Sequence, residues 1–313
     1  MEKNLKSMKK MLKDNGVFYT DDKLCKLLSS YITNNPKTVY DPTCGQGNLL
    51  KVFDDNVKKY GQELDPDELE KAKAALVNFE GIAGDTLLND GFKDVKFDAI
   101  VGNYPFGIKW TPDLLIDDER FNVAPAMAPK SKADYAFILH MLHHLKDDGI
   151  CATICFPGVC YRGNSEGKIR RWLIENNYVE RVVRIESGYF VDTNIETVIL
   201  VLKKNKKNTD VIFEDHKIQK ERTVTIDEIK ENNFCISVSN YVEEEIQKEE
   251  IDIDKVNREC MVVAQLRFIK SMEQDLLIAT VFNNDIELAT KLKDRIAIVE
   301  LWLKEDTEKI KNY

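Results

Sequence analysis

The sequence predicts an α/β protein built on a doubly wound, mostly parallel sheet of seven strands, with a helical C-terminal tail. Three observations carry that expectation. From Val39 to about Lys203, short apolar runs alternate with amphipathic helical stretches, the pattern of a parallel sheet covered on both faces. Two of those runs lead straight into sharp turns, Asp41-Pro42-Thr43-Cys44-Gly45-Gln46-Gly47-Asn48 and Gly102-Asn103-Tyr104-Pro105-Phe106-Gly107. Beyond Tyr241 the pattern changes to an acidic stretch without Gly or Pro, followed by two long helical runs.

The first helix precedes residue 35. Leu24, Leu27, Leu28 and Tyr31 fall on one face, and Asn34-Asn35-Pro36 stops the run. The candidate strands are Thr38–Tyr40, Val57–Gln62, Gly81–Ala83, Phe97–Val101, Ile150–Phe156, Val179–Ile185 and Thr197–Leu202. Helices fit near Leu49–Phe53, Pro66–Asn78, Asp134–Leu145 and Lys168–Asn176. Residues 106–133 hold Pro112, Pro125 and Pro129 and have no regular period; connections of that length are usually functional loops. Thr209–Phe213 offers one more strand and Thr225–Glu231 a short helix. The tail helices are Asp254–Phe282 and Asp285–Asn312, split by Asn283-Asn284. In the second, Ile286, Ala289, Leu292, Ile296, Val299 and Leu303 form an apolar stripe suited either to an internal core or to a partner. The expected domains are therefore 1–240 and 241–313.

Composition bounds the function. Of 313 residues, 32% are charged and 43% hydrophobic, which fits a globular, soluble chain. No run approaches the roughly 20 apolar residues of a membrane span, and no apolar signal-peptide core follows Met1. The seven cysteines are scattered without a C-x-x-C pair, so neither a disulfide framework nor a zinc ribbon is expected, and a cytoplasmic location is. His140, His143 and His144 share a helix face. With no acidic third ligand or H-E-x-x-H pattern beside them, helix packing or exposure is expected rather than a metal. The net charge of −9 is unusual for a protein that grips DNA alone, because phosphate contacts call for a basic face.

The chemistry-bearing positions fall at strand ends. Asp41, Glu63 and Asp85 each follow one of three successive strands, where ligands bind in a doubly wound sheet. A lone G-x-G is a common loop, and acids after strands often cap the next helix. The later turn adds an amide, a proline and an aromatic ring, Asn103, Pro105 and Phe106.

Together these segments resemble the two signatures of DNA adenine-N6 methyltransferases. Asp41–Asn48 is similar to their cofactor motif, often D-P-A-C-G-S-G, and Asn103-Tyr104-Pro105-Phe106 to N-P-P-F/Y, in the order of the gamma group. Further blocks resemble the modification subunit of type I restriction–modification systems. They are Gly16-Val17-Phe18-Tyr19-Thr20, Arg120-Phe121 with Pro129 through Phe137, Tyr161-Arg162-Gly163 through Arg170, and Phe190 with Thr193 and Thr197–Leu200.

The resemblance implies a Rossmann-like methyltransferase sheet and S-adenosyl-L-methionine as cofactor. It places the cofactor on Phe18, Tyr19, Thr20, Asp41, Pro42, Cys44, Gly45, Gly47, Asn48, Leu49, Glu63, Leu64, Asp85, Thr86 and Asn103. Asp41 would meet the cationic amine, Glu63 the ribose hydroxyls and Asp85 the adenine amine. The catalytic set would be Asn103, Tyr104, Pro105 and Phe106, with the Asn103 side-chain oxygen and the Tyr104 carbonyl accepting the protons of a target amine. Phe106 and Phe190 would stack on a flipped-out base. Lys130, Lys132, Arg162, Lys168 and Arg170 would contact DNA phosphates. The implied partners are double-stranded DNA, a separate specificity subunit, a second copy of the chain and, in a complete system, a restriction subunit.

Tyr104 stands where the family has its first motif proline. Since only its carbonyl is needed, Tyr104→Pro is expected to be tolerated. Asp21, Gln46 and Asn48 also depart from the family pattern. Three alternatives stay open: a solitary DNA adenine methyltransferase, an enzyme methylating glutamine or guanine N2 through the same motif, and a non-catalytic cofactor- or DNA-binding subunit.

Overall fold

The computed structural model describes residues 21–185, 196–243, 252–282 and 285–311. The expectations for Phe18, Tyr19, Thr20, Phe190 and Thr193 lie outside those residues. The chain divides into two compact units, Met1–Glu244 and Glu245–Tyr313.

In the first unit, helix α1 (Asp22–Ser30) precedes strands β1 (Thr38–Asp41) and β2 (Lys58–Glu63). Helix α2 (Pro66–Ala75) and strand β3 (Phe79–Ala83) follow, then β4 (Phe97–Gly102), the short α3 (Glu119–Asn122) and α4 (Asp134–His144). Strand β5 (Leu145–Cys155), helix α5 (Asn164–Glu175) and strands β6 (Val179–Ile185), β7 (Thr197–Lys203), β8 (Val211–Asp215) and β9 (Lys220–Val224) lead to α6 (Ile226–Glu231).

The strands form one sheet in the order β3-β2-β1-β4-β5-β7-β6-β8-β9. Pairing is parallel from β3 through β5, and β7 lies antiparallel between β5 and β6. Chain direction across the sheet reverses between β1 and β4, which opens a crevice at their carboxyl ends. Alternate residues of the inner strands feed two cores. Tyr40 and Ile100 pack on one face, and Val39, Ala99 and Val101 on the other.

Asp98 locks the opposite ends of these strands. Its Oδ2 accepts from the Thr38 amide at 2.9 Å and the Thr38 hydroxyl at 2.8 Å, and its Oδ1 from Lys146 at 2.7 Å. The two turns that carry the motifs therefore leave a fixed pair of strands.

Among the described residues the sheet has nine strands rather than seven. β8 falls close to the optional strand at Thr209–Phe213. β9 gave no sequence signal, because only Val224 of Lys220-Glu221-Arg222-Thr223-Val224 is buried. The expected helix at Leu49–Phe53 is instead a run of hydrogen-bonded turns, with the Leu50 and Lys51 amides both donating to the Gly47 carbonyl. The 106–133 connection holds only a 3-10 turn, Pro112–Leu114, and α3.

The second unit is a pair of helices, α7 (Ile253–Leu277), extended by a π-helical turn over Ile278–Phe282, and α8 (Ile286–Lys311). Ile269 and Met272 of α7 bury against Val299 of α8, with Leu292, Ile296 and Leu303 packed around them. Most of the predicted stripe is therefore consumed inside the pair. Only Ile286 of that stripe is largely exposed, at 76%.

Candidate functional site

A cavity of about 230 Å³ opens at the carboxyl ends of β1 to β4. It is walled by the loop after β1, by Glu63, Leu64 and Asp65 after β2, and by Gly84 to Leu88 after β3. Asn103 and Pro105 after β4, Ile108 to Thr111 of the following segment, and Phe137 of α4 complete it. Of the predicted cofactor residues, Asp41, Pro42, Cys44, Gly45, Asn48, Leu49, Glu63, Leu64, Asp85, Thr86 and Asn103 line it.

The three acids have distinct environments. Asp41 is 1% exposed. Burial pushes its carboxyl up to about 7, with the neighbouring Glu63 charge adding to the rise and the Thr43 amide opposing it. Glu63 fixes its surroundings: Oε2 accepts from the Gly45 amide at 2.7 Å and Oε1 from the Asp65 amide at 3.0 Å. Asp85 Oδ1 accepts from the Leu87 and Leu88 amides at 2.9 and 3.2 Å.

The two glycines of the loop after β1 have different roles. Gly45 lines the cavity with φ of +51° and open space where a Cβ would stand. Gly47, placed among the cofactor residues by the resemblance, is not in the lining. A Cβ there would come within 2.5 Å of Leu76 Cδ1, so its smallness serves packing against the segment after α2.

The turn after β4 is held from both sides. Thr153 Oγ1 donates to the Gly102 carbonyl at 3.1 Å, and the Gly107 amide donates to Asp134 Oδ2 at 3.1 Å. Within it, Asn103 and Pro105 face the cavity. The Tyr104 ring is fully buried, stacked on Phe137 at 5.0 Å and 9° and edge-on to Phe106 at 5.7 Å. Tyr104 therefore supplies more than a carbonyl to the motif: its ring is a core residue beneath the turn. Phe106 is partly buried against both cores and is not among the lining residues.

The proposed phosphate contacts divide into three kinds. Lys130 and Lys168 are exposed and Lys132 half-exposed, with Lys130 paired to Asp113. Arg162 is bound to Glu166 at 2.9 Å and lies 4.0 Å from Asp134. Arg170 is a correction. It is 4% exposed, and its guanidinium donates to the carbonyls of Phe234, Arg162 and Val159 at 2.7, 2.7 and 3.2 Å. That commits Arg170 to the fold around α5.

His140 and His144 are fully buried in the core, consistent with a packing role. They do have an acidic neighbour: Asp90 Oδ2 lies 2.9 Å from His144 Nε2. The sequence hid it because Asp90 is more than fifty residues away, on the loop after β3. Sequence reasoning also missed Trp110, which sits in the aperiodic segment, and Phe137. A signal for Phe137 existed, since it closes a block quoted above for its resemblance.

A mostly parallel sheet reversing between β1 and β4, three strand-end acids and an Asn-x-Pro-aromatic turn on one cavity together define the S-adenosylmethionine-dependent methyltransferase class. The chain belongs to the N-6 DNA methylase family, whose model matches residues 2–223. It is 32% identical to the type I restriction enzyme MpnII methylase subunit of Mycoplasma pneumoniae, over 78% of this chain and 56% of that protein. A second relative, the MjaIX methylase subunit of Methanocaldococcus jannaschii, is 28% identical over 61% of this chain and 38% of that one. Among solved structures, the type I restriction–modification methyltransferase subunit of Streptococcus thermophilus superimposes with a TM-score of 0.68 at 31% identity, covering 72% of this chain and 59% of that one. A Listeria monocytogenes protein assigned to the class I S-adenosylmethionine-dependent methyltransferases shares the fold, with a TM-score of 0.51 at 18% identity. The chain thus spans between half and two thirds of the length of the most similar of these subunits.

The cofactor of this class, S-adenosyl-L-methionine, fits the residues present. Asp41 is a buried carboxylate whose ionised form a cationic amine would favour. Leu64 and Leu88, 69% and 40% exposed, present apolar surface at the cavity that a flat ring would cover.

Proposed function

We propose that this chain transfers a methyl group from S-adenosylmethionine to N6 of a flipped-out adenine in DNA, as the modification subunit of a type I-like restriction–modification assembly. The observation that carries the proposal is the placement of Asn103 and Pro105 on the cavity that Asp41, Glu63 and Asp85 also line. The cofactor supplies an electrophilic methyl group on its sulfonium. The chain's own residues orient the amine: the Asn103 side-chain oxygen and the Tyr104 carbonyl accept hydrogen bonds from its two N–H groups. Those contacts draw the nitrogen lone pair out of the ring and stabilise the charge that develops on it. Phe106 stacks on the extruded base in this reading, and Lys130, Lys132 and Lys168 contact phosphates.

Asp41 makes the cofactor reading testable by pH. Its folded pKa, about 7, lies above its ordinary 3.8. The free protein should therefore lose stability as pH rises through that window, where the unfolded chain ionises and the folded one resists. Binding an ammonium group favours the ionised carboxylate. Calorimetry should show S-adenosylmethionine affinity rising by roughly tenfold from pH 5.5 to 7.5, and Asp41→Asn should flatten that rise. An equal pH slope in both proteins would remove Asp41 from the amine site.

Partner dependence rests on charge and on the second unit. The net charge is −9, and among the described residues no element is evident that would read base edges in a groove. On α7 and α8, Ile253, Met261, Phe268, Leu301 and Trp302 are each more than half exposed and offer apolar side chains to a docking partner. Of the apolar stripe Ile286, Ala289, Leu292, Ile296 and Val299, only Ile286 stays free for a partner at 76% exposed; Ala289 and Val299 are buried, and Leu292 and Ile296 are partly buried within the helix pair. The proposed partners are helices of a separate specificity subunit, with two copies of this chain per assembly. Deleting residues 245–313 should abolish assembly and site-specific methylation while preserving cofactor binding. Labelled methyl transfer to plasmid DNA, with the modified adenines sequenced, tests this. Methylation at one defined motif by the purified chain alone would establish a solitary enzyme instead.

A further inference from the structure

A buried arginine joins two walls of the cavity. Arg120, 3% exposed, lies on α3 in the segment that follows the catalytic turn. Its Nη1 donates to the Thr86 carbonyl at 2.8 Å and to His140 Nδ1 at 3.0 Å. Its Nη2 donates to the Leu87 carbonyl at 2.8 Å and to Asp118 Oδ2 at 2.7 Å, and Nε donates to Asp118 Oδ1 at 3.0 Å. Thr86 and Leu87 directly follow Asp85, and all three line the cavity. The adjacent Phe121 meets Trp110 edge-on at 5.3 Å, and Trp110 also lines the cavity.

The network behind Arg120 has a defined polarity. A guanidinium only donates, so His140 must present its Nδ1 lone pair and carry its hydrogen on Nε2. That hydrogen faces Tyr40 Oη at 3.1 Å and Thr86 Oγ1 at 3.3 Å. Burial keeps His140 neutral, holding its pKa well below the ordinary value. Thr86 Oγ1 in turn donates to Gln62 Oε1 at 3.2 Å. Asp90, His140 and His144 lie close enough to suggest a metal site. The Arg120 guanidinium, 3.7 Å from Asp90 Oδ2, already supplies the positive charge among them.

We propose that Arg120 is a positioning residue for the adenine subsite. It fixes the Asp85–Leu88 wall relative to the Trp110 wall, so that Asp85 can select a 6-amino purine. The planar fork is needed because it serves two carbonyls and a carboxylate at once. A lysine ammonium in the same space keeps the charge but not that geometry. The inference rests on the cavity being the cofactor site, and its test separates the two ideas.

The probes are S-adenosylhomocysteine and its inosine analogue, titrated calorimetrically into the full chain. The wild type should prefer the adenosine compound by at least tenfold. Arg120→Lys should lose most of that preference, mainly through weaker binding of the adenosine compound. Asp118→Asn, which weakens the fork's counter-ion on a partly exposed side chain, should lie between them and keeps the test available if Arg120→Lys folds poorly. A merely structural role predicts equal loss for both probes in step with the folded fraction, and that result would overturn the proposal. So would an undiminished preference in Arg120→Lys, or failure of both variants to fold. Binding of neither probe by the wild type would instead overturn the cofactor placement itself.

Discussion

Asn103→Ala is expected to cut methyl transfer by roughly 10²-fold or more while leaving cofactor affinity nearly intact. The reason is where charge develops. An exocyclic amine is a poor nucleophile because its lone pair is delocalised into the ring. As the methyl group transfers, the nitrogen becomes positive, and its protons bind any acceptor aimed at them more strongly. The Asn103 side-chain oxygen is such an acceptor in the proposed mechanism, and one contact of this kind is worth about 3–4 kcal/mol in the transition state. The site is rigid enough to deliver it. β4 is held at its start by the Asp98 bonds, the Gly102 carbonyl is fixed by Thr153 at 3.1 Å, and the Gly107 amide is fixed by Asp134 at 3.1 Å. Single-turnover transfer of labelled methyl to DNA, by the chain with its partner subunits, measures the effect. Calorimetry on the same variant separates loss of chemistry from loss of binding. Methylation of adenine by Asn103→Ala at the wild-type rate would rule the mechanism out.

The strand-end positions of this site were readable in the sequence because local rules produce them. A strand ends, a turn residue follows, and a parallel sheet brings all such ends to one edge. Asp41, Glu63, Asp85 and Asn103 are cases of that rule, and each lines the cavity. What was not readable depends on contacts between distant segments. Arg170 looked like a surface cation until α5 packed it against the Phe234 carbonyl at 2.7 Å. Gly47 looked like a ligand glycine until Leu76 filled the space beside it. The stripe on α8 suits an internal core or a partner equally in the sequence, and α7 covers most of it. Periodicity reports that a face is apolar and leaves open which surface will cover it. β9 failed for the opposite reason: an edge strand with one buried residue carries almost no apolar pattern.

Tyr104→Pro would restore the family residue, and the structure predicts that it destabilises the protein. By sequence alone the substitution is expected to be tolerated, since the turn needs only the carbonyl at this position, which proline retains. The side chain alters that conclusion. The Tyr104 ring is fully buried, lies 5.0 Å from Phe137 in a parallel stack, and meets Phe106 edge-on. Removing a buried aromatic side chain costs about 3–5 kcal/mol, because the surrounding core relaxes only partly. A well-formed aromatic pair contributes about 0.5–1.5 kcal/mol beyond its buried area. Domains of this kind are stable by about 5–15 kcal/mol in total, so the loss is a large share of the whole. Phe137 also lines the cavity, and once its stacking partner is gone it should shift and weaken cofactor binding. Tyr104→Phe keeps the ring and the carbonyl and should therefore retain both stability and activity. Chemical denaturation of the two variants beside the wild type tests the argument: a large fall in the midpoint for proline and almost none for phenylalanine. An unchanged midpoint for Tyr104→Pro would mean that the core beneath the catalytic turn closes over the vacated volume, and the turn would then depend on its backbone alone.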